Sequence, residues 1–161
     1  KEYDLNIRVV HHTQYLLELA QSRKLVLKKL SANAIYHDPC ELSRDIRIYN
    51  EPRELLNKIT ILQAAGMEKD QTLCCGNSLA NLTSSNEIKS VIARDAYLKM
   101  MKPGAQYLIT SCPMCKKAFA QVSDVPVKDI SEMVALSLQR NLRAANAEQQ
   151  KTEKPAEIMI D

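Results

Sequence analysis

The sequence predicts an α/β fold in which a short parallel sheet is flanked by helices. Two observations support this prediction: short apolar, β-branched runs alternate with segments of helical periodicity, and Pro- or Gly-containing breaks separate them. Strand–helix repetition of this kind makes the strands parallel, because each helix returns the chain to the same end of the sheet. At 161 residues, the chain is long enough to bury a hydrophobic core without disulfides.

Short runs with the composition of strands provide the first set of predicted elements. They are Ile7–Val10, Ala34–Tyr36, Gln71–Leu73, Tyr107–Thr110 and Val125–Lys128. Tyr107–Thr110 has the clearest pattern of a buried strand, and Ala34–Tyr36 ends at the break formed by Asp38 and Pro39.

Helices are predicted between these strands from apolar side chains at helical spacing and from capping residues. The first helix is capped by Thr13 and has Leu16, Leu19 and Ala20 on one face, and the second has Pro52 in its first turn, Leu55, Leu56, Ile59 and Leu62 inside, and Gly66 at its end. The third begins at Asn86, has Ile88, Val91, Ile92 and Ala96 inside and ends at Pro103–Gly104, and the fourth begins at Pro113. The last is capped by Asp129 or Ser131 and has Ile130, Met133, Val134, Leu138 and Leu142 inside.

The charge and composition exclude some classes of function. The net charge of +3 comes from 22 basic and 19 acidic residues, and there are six Tyr, one Phe and no Trp. This balance lacks the basic patch and the stacking aromatics of a nucleic-acid-binding protein. No segment approaches the roughly 18 consecutive apolar residues of a transmembrane helix. We therefore expect no nucleic-acid partner and no direct membrane span.

The chain start and the cysteine count indicate where the protein works. The first residues, K-E-Y-D-L-N, contain no apolar signal core and no initiator Met, so we expect a piece of a longer chain. Five cysteines are an odd number, which argues against a secreted disulfide framework. We expect a cytoplasmic protein in which clustered thiols serve metal or redox chemistry, with any membrane association coming from another protein of the same complex.

The five cysteines form the main functional pattern of the sequence. They are Cys40, Cys74, Cys75, Cys112 and Cys115, and each follows the end of a predicted strand. Because the carboxyl ends of parallel strands meet at one edge of a sheet, three distant segments would bring five thiols to one place. The helices that start after these loops would favour the thiolate form through their N-terminal N–H groups.

The number of cysteines bears on the kind of metal group. A C-x-x-C motif such as that of Cys112 and Cys115 is also found in zinc knuckles and in thiol–disulfide enzymes, and it leaves those alternatives open. One zinc ion and one cubane iron–sulfur cluster each take four protein ligands. A larger or less symmetric iron–sulfur assembly can take five, with the adjacent Cys74 and Cys75 reaching different irons.

The same cysteine pattern resembles the CCG, or cysteine-rich, domain of heterodisulfide reductases and their relatives. Those relatives include the iron–sulfur subunits of glycolate oxidase and lactate-utilisation systems, as well as components of some succinate and fumarate dehydrogenase-type complexes. The resemblance covers about residues 7–138. Its matching segments are His37–Leu42, Pro52–Arg53, Cys74–Gly76 and Thr110–Cys115.

This resemblance implies both a fold and a function. It implies a Rossmann-like, three-layer module over residues 1–143, the C-terminal one of two such modules, followed by a polar extension over 144–161. The five cysteines would hold a non-cubane 4Fe-4S cluster in a multi-subunit oxidoreductase. Such a module transfers electrons or reduces a disulfide, with a second CCG module and flavin or iron–sulfur subunits as partners. The alternatives are a zinc-binding structural module without redox activity and a thiol–disulfide enzyme that uses Cys112 and Cys115 alone.

Several polar residues near the cysteines are secondary candidates. For His37, His11 and His12 a structural role is expected, and Asp38 is expected to shape the loop before Pro39. Three arginines could balance thiolate charge or attract an anion, but a solvated position is expected for them: Arg44, Arg47 and Arg53. Lys116 and Lys117 are further candidates for charge balance.

Overall fold

A parallel four-stranded sheet forms the centre of the molecule. The computed structural model describes residues 7–77 and 83–138. The strands are β1 (Asn33–His37), β2 (Ile61–Gln63), β3 (Tyr107–Thr110) and β4 (Val127–Asp129), in the spatial order β2-β1-β3-β4. All neighbouring pairs are parallel, which confirms the predicted α/β class.

Helices connect the strands and cover both faces of the sheet. They are α1 (His12–Gln21), α2 (Asn50–Ile59), α3 (Asn86–Met100), α4 (Pro113–Ala120) and α5, whose described part covers 130–138. A π-helical turn (Glu41–Asp45) follows β1, and a 3₁₀ turn (Lys69–Gln71) follows β2. None of these helices, as far as the described residues reach, is long and apolar enough to cross a membrane.

Alternating side chains of the central strands divide the core into two halves. Ala34 and Tyr36 of β1 pack with residues of α1, α2 and α5 on one face of the sheet. Ile35 of β1 and Leu108 of β3 pack with residues of α3 and α4 on the other face. Successive residues of a strand point to opposite faces, so two apolar faces require a layer of helices on each side.

Two of the predicted strands are wrong, and one helix is shorter than predicted. Residues 7–10 are not in a strand, and Val9 is 89% exposed. Helix α2 ends at Ile59, and the predicted helical continuation to Gly66 instead contains β2, because Ile61 and its two successors pair with β1. Gln71–Leu73 is not a strand either, since the strand that precedes the cysteine pair is β2.

Gly66 has a packing role rather than the predicted role of ending a helix. Its N–H donates to the carbonyl of Met100 at 3.0 Å. A Cβ atom at this position would lie 2.0 Å from the carbonyl oxygen of Lys99. The loop after β2 therefore passes against the end of α3 at a distance that only glycine allows.

Local capping differs from prediction at α1 and agrees with it at α5. His11, not Thr13, caps α1: its Nδ1 accepts from the Thr13 N–H, while its own N–H donates to Gln14 in a capping box. Asp129 Oδ1 accepts from the N–H of Ser131 at 2.9 Å, as the predicted cap of the last helix requires. Strand β4 is shifted toward the carboxyl end relative to Val125–Lys128. Leu142, predicted on the inner face of the last helix, lies outside the described residues.

The inner face of α3 is only partly the predicted one, since Ala96 is buried as predicted. Ala93, Ala96, Tyr97 and Met100 are buried. Ile88 and Val91, which were predicted to face the core, are 53% and 69% exposed. The small alanine side chains let the helix lie close to the sheet, and this choice turns the larger β-branched side chains outward.

Candidate metal centre

Two of the cysteine segments lie at the same edge of the sheet. Cys40 follows the end of β1 by three residues, and Cys112 follows the end of β3 by two. The two strands are parallel neighbours, with His37 and Thr110 as partners at their carboxyl ends. The predicted position of these two cysteines at one sheet edge therefore agrees with the structure.

The adjacent pair Cys74 and Cys75 reaches this edge by another route. The pair does not follow a strand directly, as predicted, but comes after β2, a loop and the 3₁₀ turn. The N–H of Gly76 donates to the sulfur of Cys74 at 3.3 Å. Gly76 has a φ of +84°, and a Cβ atom there would lie 2.7 Å from the carbonyl oxygen of Lys89 in α3. The C-C-G turn thus needs glycine for its conformation and for its contact with α3.

Direct sulfur interactions link three of the five thiols. The buried thiol of Cys115 is hydrogen-bonded with both Cys112 and Cys75. These bonds lower the pKa of Cys112 to about 6 and the pKa of Cys75 to about 7. The same bonds, together with burial, raise the pKa of Cys115. In the metal-free protein, Cys115 is therefore the protonated donor, and its two neighbours are inclined to be thiolates.

The first turn of α4 adds to the stabilisation of the Cys112 thiolate. Backbone N–H groups of Cys115 and Met114 lower the pKa of Cys112 further. Pro113 stands at the first position of this helix, where its missing N–H costs no hydrogen bond. Cys112 therefore sits at the positive end of α4, as the sequence predicted.

Cys40 is the fourth thiol of the group and interacts electrostatically with the adjacent pair. Burial raises the pKa of Cys40, and a hydrogen bond with Arg44 opposes this effect. The negative charges of Cys74 and Cys75 raise this pKa further. Arg44 is exposed, as expected, but its guanidinium reaches a candidate ligand. None of the five cysteines forms a disulfide, and together they form one set of interacting groups.

A buried ion pair that the sequence analysis did not predict holds the loops of the site. The side chain of Asp38 is 1% exposed, and its two oxygens accept from Arg53 Nη1 at 2.6 Å and Nη2 at 2.7 Å. Arg53 also pairs with Glu68 at 3.0 Å, and its guanidinium lies 5.4 Å from the ring centre of Tyr36. The expected solvated position of Arg53 is wrong. The sequence did contain a signal for this role, because Pro52–Arg53 is one of the segments that carry the resemblance to the CCG domain.

Asp38 also fixes the approach to the cysteine pair. The N–H of Lys69 donates to Asp38 Oδ2 at 2.8 Å, and Thr72 Oγ1 donates to the Asp38 carbonyl at 2.8 Å. Lys69 adopts a positive φ of 58°, which is uncommon for a residue with a side chain. The residue two positions before Cys40 therefore controls the path of the chain into Cys74.

Two of the remaining candidates, His11 and Lys116, have structural partners. His11 caps α1, as expected of a structural histidine. Lys116 Nζ lies 2.5 Å from Glu132 Oε2 of α5, so its charge is paired with a carboxylate. Tyr36 shares a hydrogen bond of 2.8 Å with Ser111, which ties the end of β1 to the residue before Cys112.

An open cleft gives access to one side of the cysteine group. Its volume is about 450 Å³, and Cys112 forms part of its wall. Its apolar wall includes Pro39, Ile46 and Pro113, and its other polar members are His11, Glu41, Asp45 and Ser111. This volume is in the range of small-molecule sites. A second cleft of about 370 Å³ between α3 and α4 is lined by residues that include Lys89 and Lys117.

The cysteines are not arranged around a single point. Within residues 7–77 and 83–138, no group of three or more His, Cys, Asp or Glu side chains could hold one metal ion as it stands. A structural zinc site places four ligand atoms about 2.0–2.3 Å from one ion. A donor set of five thiols suits either a zinc ion or an iron–sulfur cluster. Either group would draw its ligands into place on binding, since metal binding and ligand ordering are coupled.

Sequence comparisons give the wider relationships of this chain. It is 29% identical over 143 residues to one of the subunits of dihydromethanophenazine:CoB–CoM heterodisulfide reductase from Methanosarcina barkeri, covering 84% of this chain and 35% of the relative. It is 28% identical over 141 residues to one of the subunits of fumarate reductase (CoM/CoB) from Methanothermobacter marburgensis, covering 84% and 28%. An uncharacterized iron–sulfur protein of Methanococcus maripaludis is 32% identical over 119 residues, covering 66% and 24%.

This chain corresponds to a part of each of these relatives. The chain spans 35%, 28% and 24% of the lengths of these three relatives. The model of the CCG family, described as a cysteine-rich domain, matches residues 34–120, a range that contains all five cysteines. The chain therefore belongs to the CCG family of cysteine-rich domains.

Proposed function

We propose that this chain is an iron–sulfur redox module of a multi-subunit oxidoreductase of the heterodisulfide reductase type. Its ligands would be Cys40, Cys74, Cys75, Cys112 and Cys115, and the group would be a non-cubane 4Fe-4S cluster. The observation that carries the proposal is the set of five interacting thiols, none in a disulfide, that three distant segments supply. Relatives whose names describe heterodisulfide reductase subunits and iron–sulfur proteins support it.

The chain's own residues supply the conditions that such a group requires. Thiolates are the ligand form, and hydrogen bonds with Cys115 and the start of α4 favour the thiolate of Cys112. Arg44 beside Cys40 compensates part of the added negative charge. The bound cluster would accept and release electrons, and the protein would set its position and potential.

The ion pair of Asp38 and Arg53 would fix the distances between the ligand loops. It joins the loop of Cys40 to α2 and, through Lys69, to the turn that leads to Cys74. A cluster with several ligands binds more tightly when these loops already have one arrangement, because ordering mobile ligands on binding costs conformational entropy.

The cleft beside Cys112 would admit a small disulfide substrate to the cysteine group. It opens the cysteine group to solvent next to Pro39 and Pro113. Another protein of the complex or a second CCG module would cover this edge in the complete enzyme. Disulfide reduction requires this access, whereas electron transfer requires only that a partner redox group lies close to this edge.

Anaerobic purification followed by measurement of iron, sulfide and zinc tests the proposal. About four irons and matching sulfide per chain, with broad visible absorption, is the expected result. One zinc per chain and no visible absorption would replace the proposal with the zinc-binding structural module. A metal-free protein that shows reversible oxidation of Cys112 and Cys115 alone would indicate the thiol–disulfide enzyme.

A further inference from the structure

Two buried polar atoms at the carboxyl ends of the central strands have no hydrogen-bond partner in the described structure. They are Nε2 of His37 and Oγ1 of Thr110. The two residues are 2% and 0% exposed, and they are cross-strand partners in the pairing of β1 and β3. Gln63 Oε1, at the end of β2, is a third such atom among the described residues.

An unpaired polar atom in a protein interior is costly, because it has lost its hydrogen bonds to water. Two of them side by side at one sheet edge are a feature that calls for a partner. The imidazole of His37 is neutral at ordinary pH, since burial lowers its pKa to about 3. Each group can therefore donate one hydrogen bond without bringing a charge.

The positions of the two residues associate them with the cysteine group. Along β1, Ile35 belongs to the face covered by α3 and α4, so His37 lies on that same face. The ring of His37 meets Phe119 edge to face, with 4.6 Å between ring centres. Phe119 lies one helical turn after Cys115 on α4, and Phe119, Cys115 and Cys75 are members of one buried cluster.

We propose that His37 Nε2 and Thr110 Oγ1 are the hydrogen-bond donors for sulfur atoms of the group held by the five cysteines. They would contact the bound group's sulfur directly and stabilise its charge, but they would supply no metal ligand. This inference rests on the proposed iron–sulfur function. Donation to sulfur stabilises the more negative, reduced state, so both residues raise the reduction potential and strengthen retention of the group.

Four variants of the full chain test this inference. Thr110→Val and His37→Leu remove the donors, whereas Thr110→Ser keeps the hydroxyl and His37→Gln keeps an N–H donor near the Nε2 position. Each variant is purified anaerobically, and three quantities are measured: the reduction potential, the loss of iron to a chelator, and the urea unfolding of the metal-free protein. Valine has nearly the shape of threonine, so Thr110→Val remains informative if His37→Leu does not fold.

Thr110→Val is expected to have opposite effects in the metal-free protein and in the iron-loaded protein. Metal-free Thr110→Val is at least as stable as the wild type, because it removes a buried hydroxyl that had no partner. The loaded Thr110→Val protein has a more negative potential and loses iron about tenfold more easily, as expected for the loss of a group bonded to a metal site. Thr110→Ser and His37→Gln return toward the wild-type potential.

Two other results would overturn the inference and are distinct from a failure of the proposed function. A less stable metal-free Thr110→Val, with the potential and iron retention unchanged, would assign the two groups to a structural water. Iron-loaded variants that all keep the wild-type potential would remove any role toward the cluster. A wild-type chain that binds no iron at all would instead refute the iron–sulfur function on which the inference rests.

Discussion

Arg53 holds Asp38 by both ends of its guanidinium, with Nη1 2.6 Å from Oδ1 and Nη2 2.7 Å from Oδ2. Burial opposes the charge of Arg53, but its bonds with Asp38 and Glu68 outweigh this effect and raise its pKa. The two residues are 15 positions apart: Asp38 lies in the loop after β1, and Arg53 lies in α2. Their pairing connects the loop of Cys40 with α2.

Removing the guanidinium should strongly destabilise the metal-free protein. Arg53→Met leaves the carboxylate of Asp38 buried without its cation, and the expected loss in the free energy of unfolding is about 3–5 kcal/mol. Glu68→Gln is the matched control, because it removes the partly exposed partner of the same guanidinium and should cost about 1 kcal/mol or less. Urea unfolding measures both. Equal losses for the two variants would contradict a structural role for the buried pair.

The C-C-G turn should be sensitive to a single added methyl group. Gly76→Ala places a side chain at positive φ and 2.7 Å from the Lys89 carbonyl, whereas Gly104→Ala meets the same φ strain in open space. Gly76→Ala should therefore lose about 1–3 kcal/mol more than Gly104→Ala, because of the added contact. It should also lower iron loading, which Gly104→Ala should leave unchanged. Similar stability for both variants would show that the turn adapts to a Cβ atom.

The adjacent cysteines separate a five-ligand cluster from a four-ligand zinc site. If each of them reaches a different iron, Cys74→Ser and Cys75→Ser should each lower iron content and alter the visible spectrum. Serine keeps the size of the side chain and offers a weaker oxygen ligand, so the expected loss is partial. Iron, sulfide and optical measurements on both variants provide the test. If either variant keeps wild-type iron and spectrum, the five-ligand prediction is wrong.

Cys112 should be the most reactive thiol of the reduced, metal-free protein. Its hydrogen bond with Cys115 lowers its pKa to about 6, and it lines an open cleft. Alkylation followed by mass spectrometry should therefore give a Cys112 rate that rises as the pH passes through about 6 and stays constant above it. Cys115, which is 4% exposed and has a raised pKa, should react last. A Cys112 profile centred at about 8.5, the pKa of an unperturbed thiol, would contradict this prediction.

Local sequence determined the central part of this molecule. The continuous apolar runs in Ala34–Tyr36 and Tyr107–Thr110 predicted two buried strands, and the structure pairs these strands as neighbours. Pro113 predicted the start of α4 directly after Cys112, because proline suits the first helical position. From the strand ends and the cysteine spacing, the common edge for Cys40 and Cys112 could also be predicted. These features depend on residues that are close together along the chain.

Tertiary structure decided the features that depend on a distant partner. Ile61 and Leu62 suit a helix or a strand by composition, and only the free edge of β1 makes them a strand. The outward position of Ile88 and Val91 follows from which side of α3 lies against the sheet. Asp38 could be assigned to a turn from its neighbour Pro39, but its ion pair with Arg53 appears only when α2 packs beside β1. A side chain's partner is set by the three-dimensional arrangement, because contact energy depends on distance in space and not on separation along the chain.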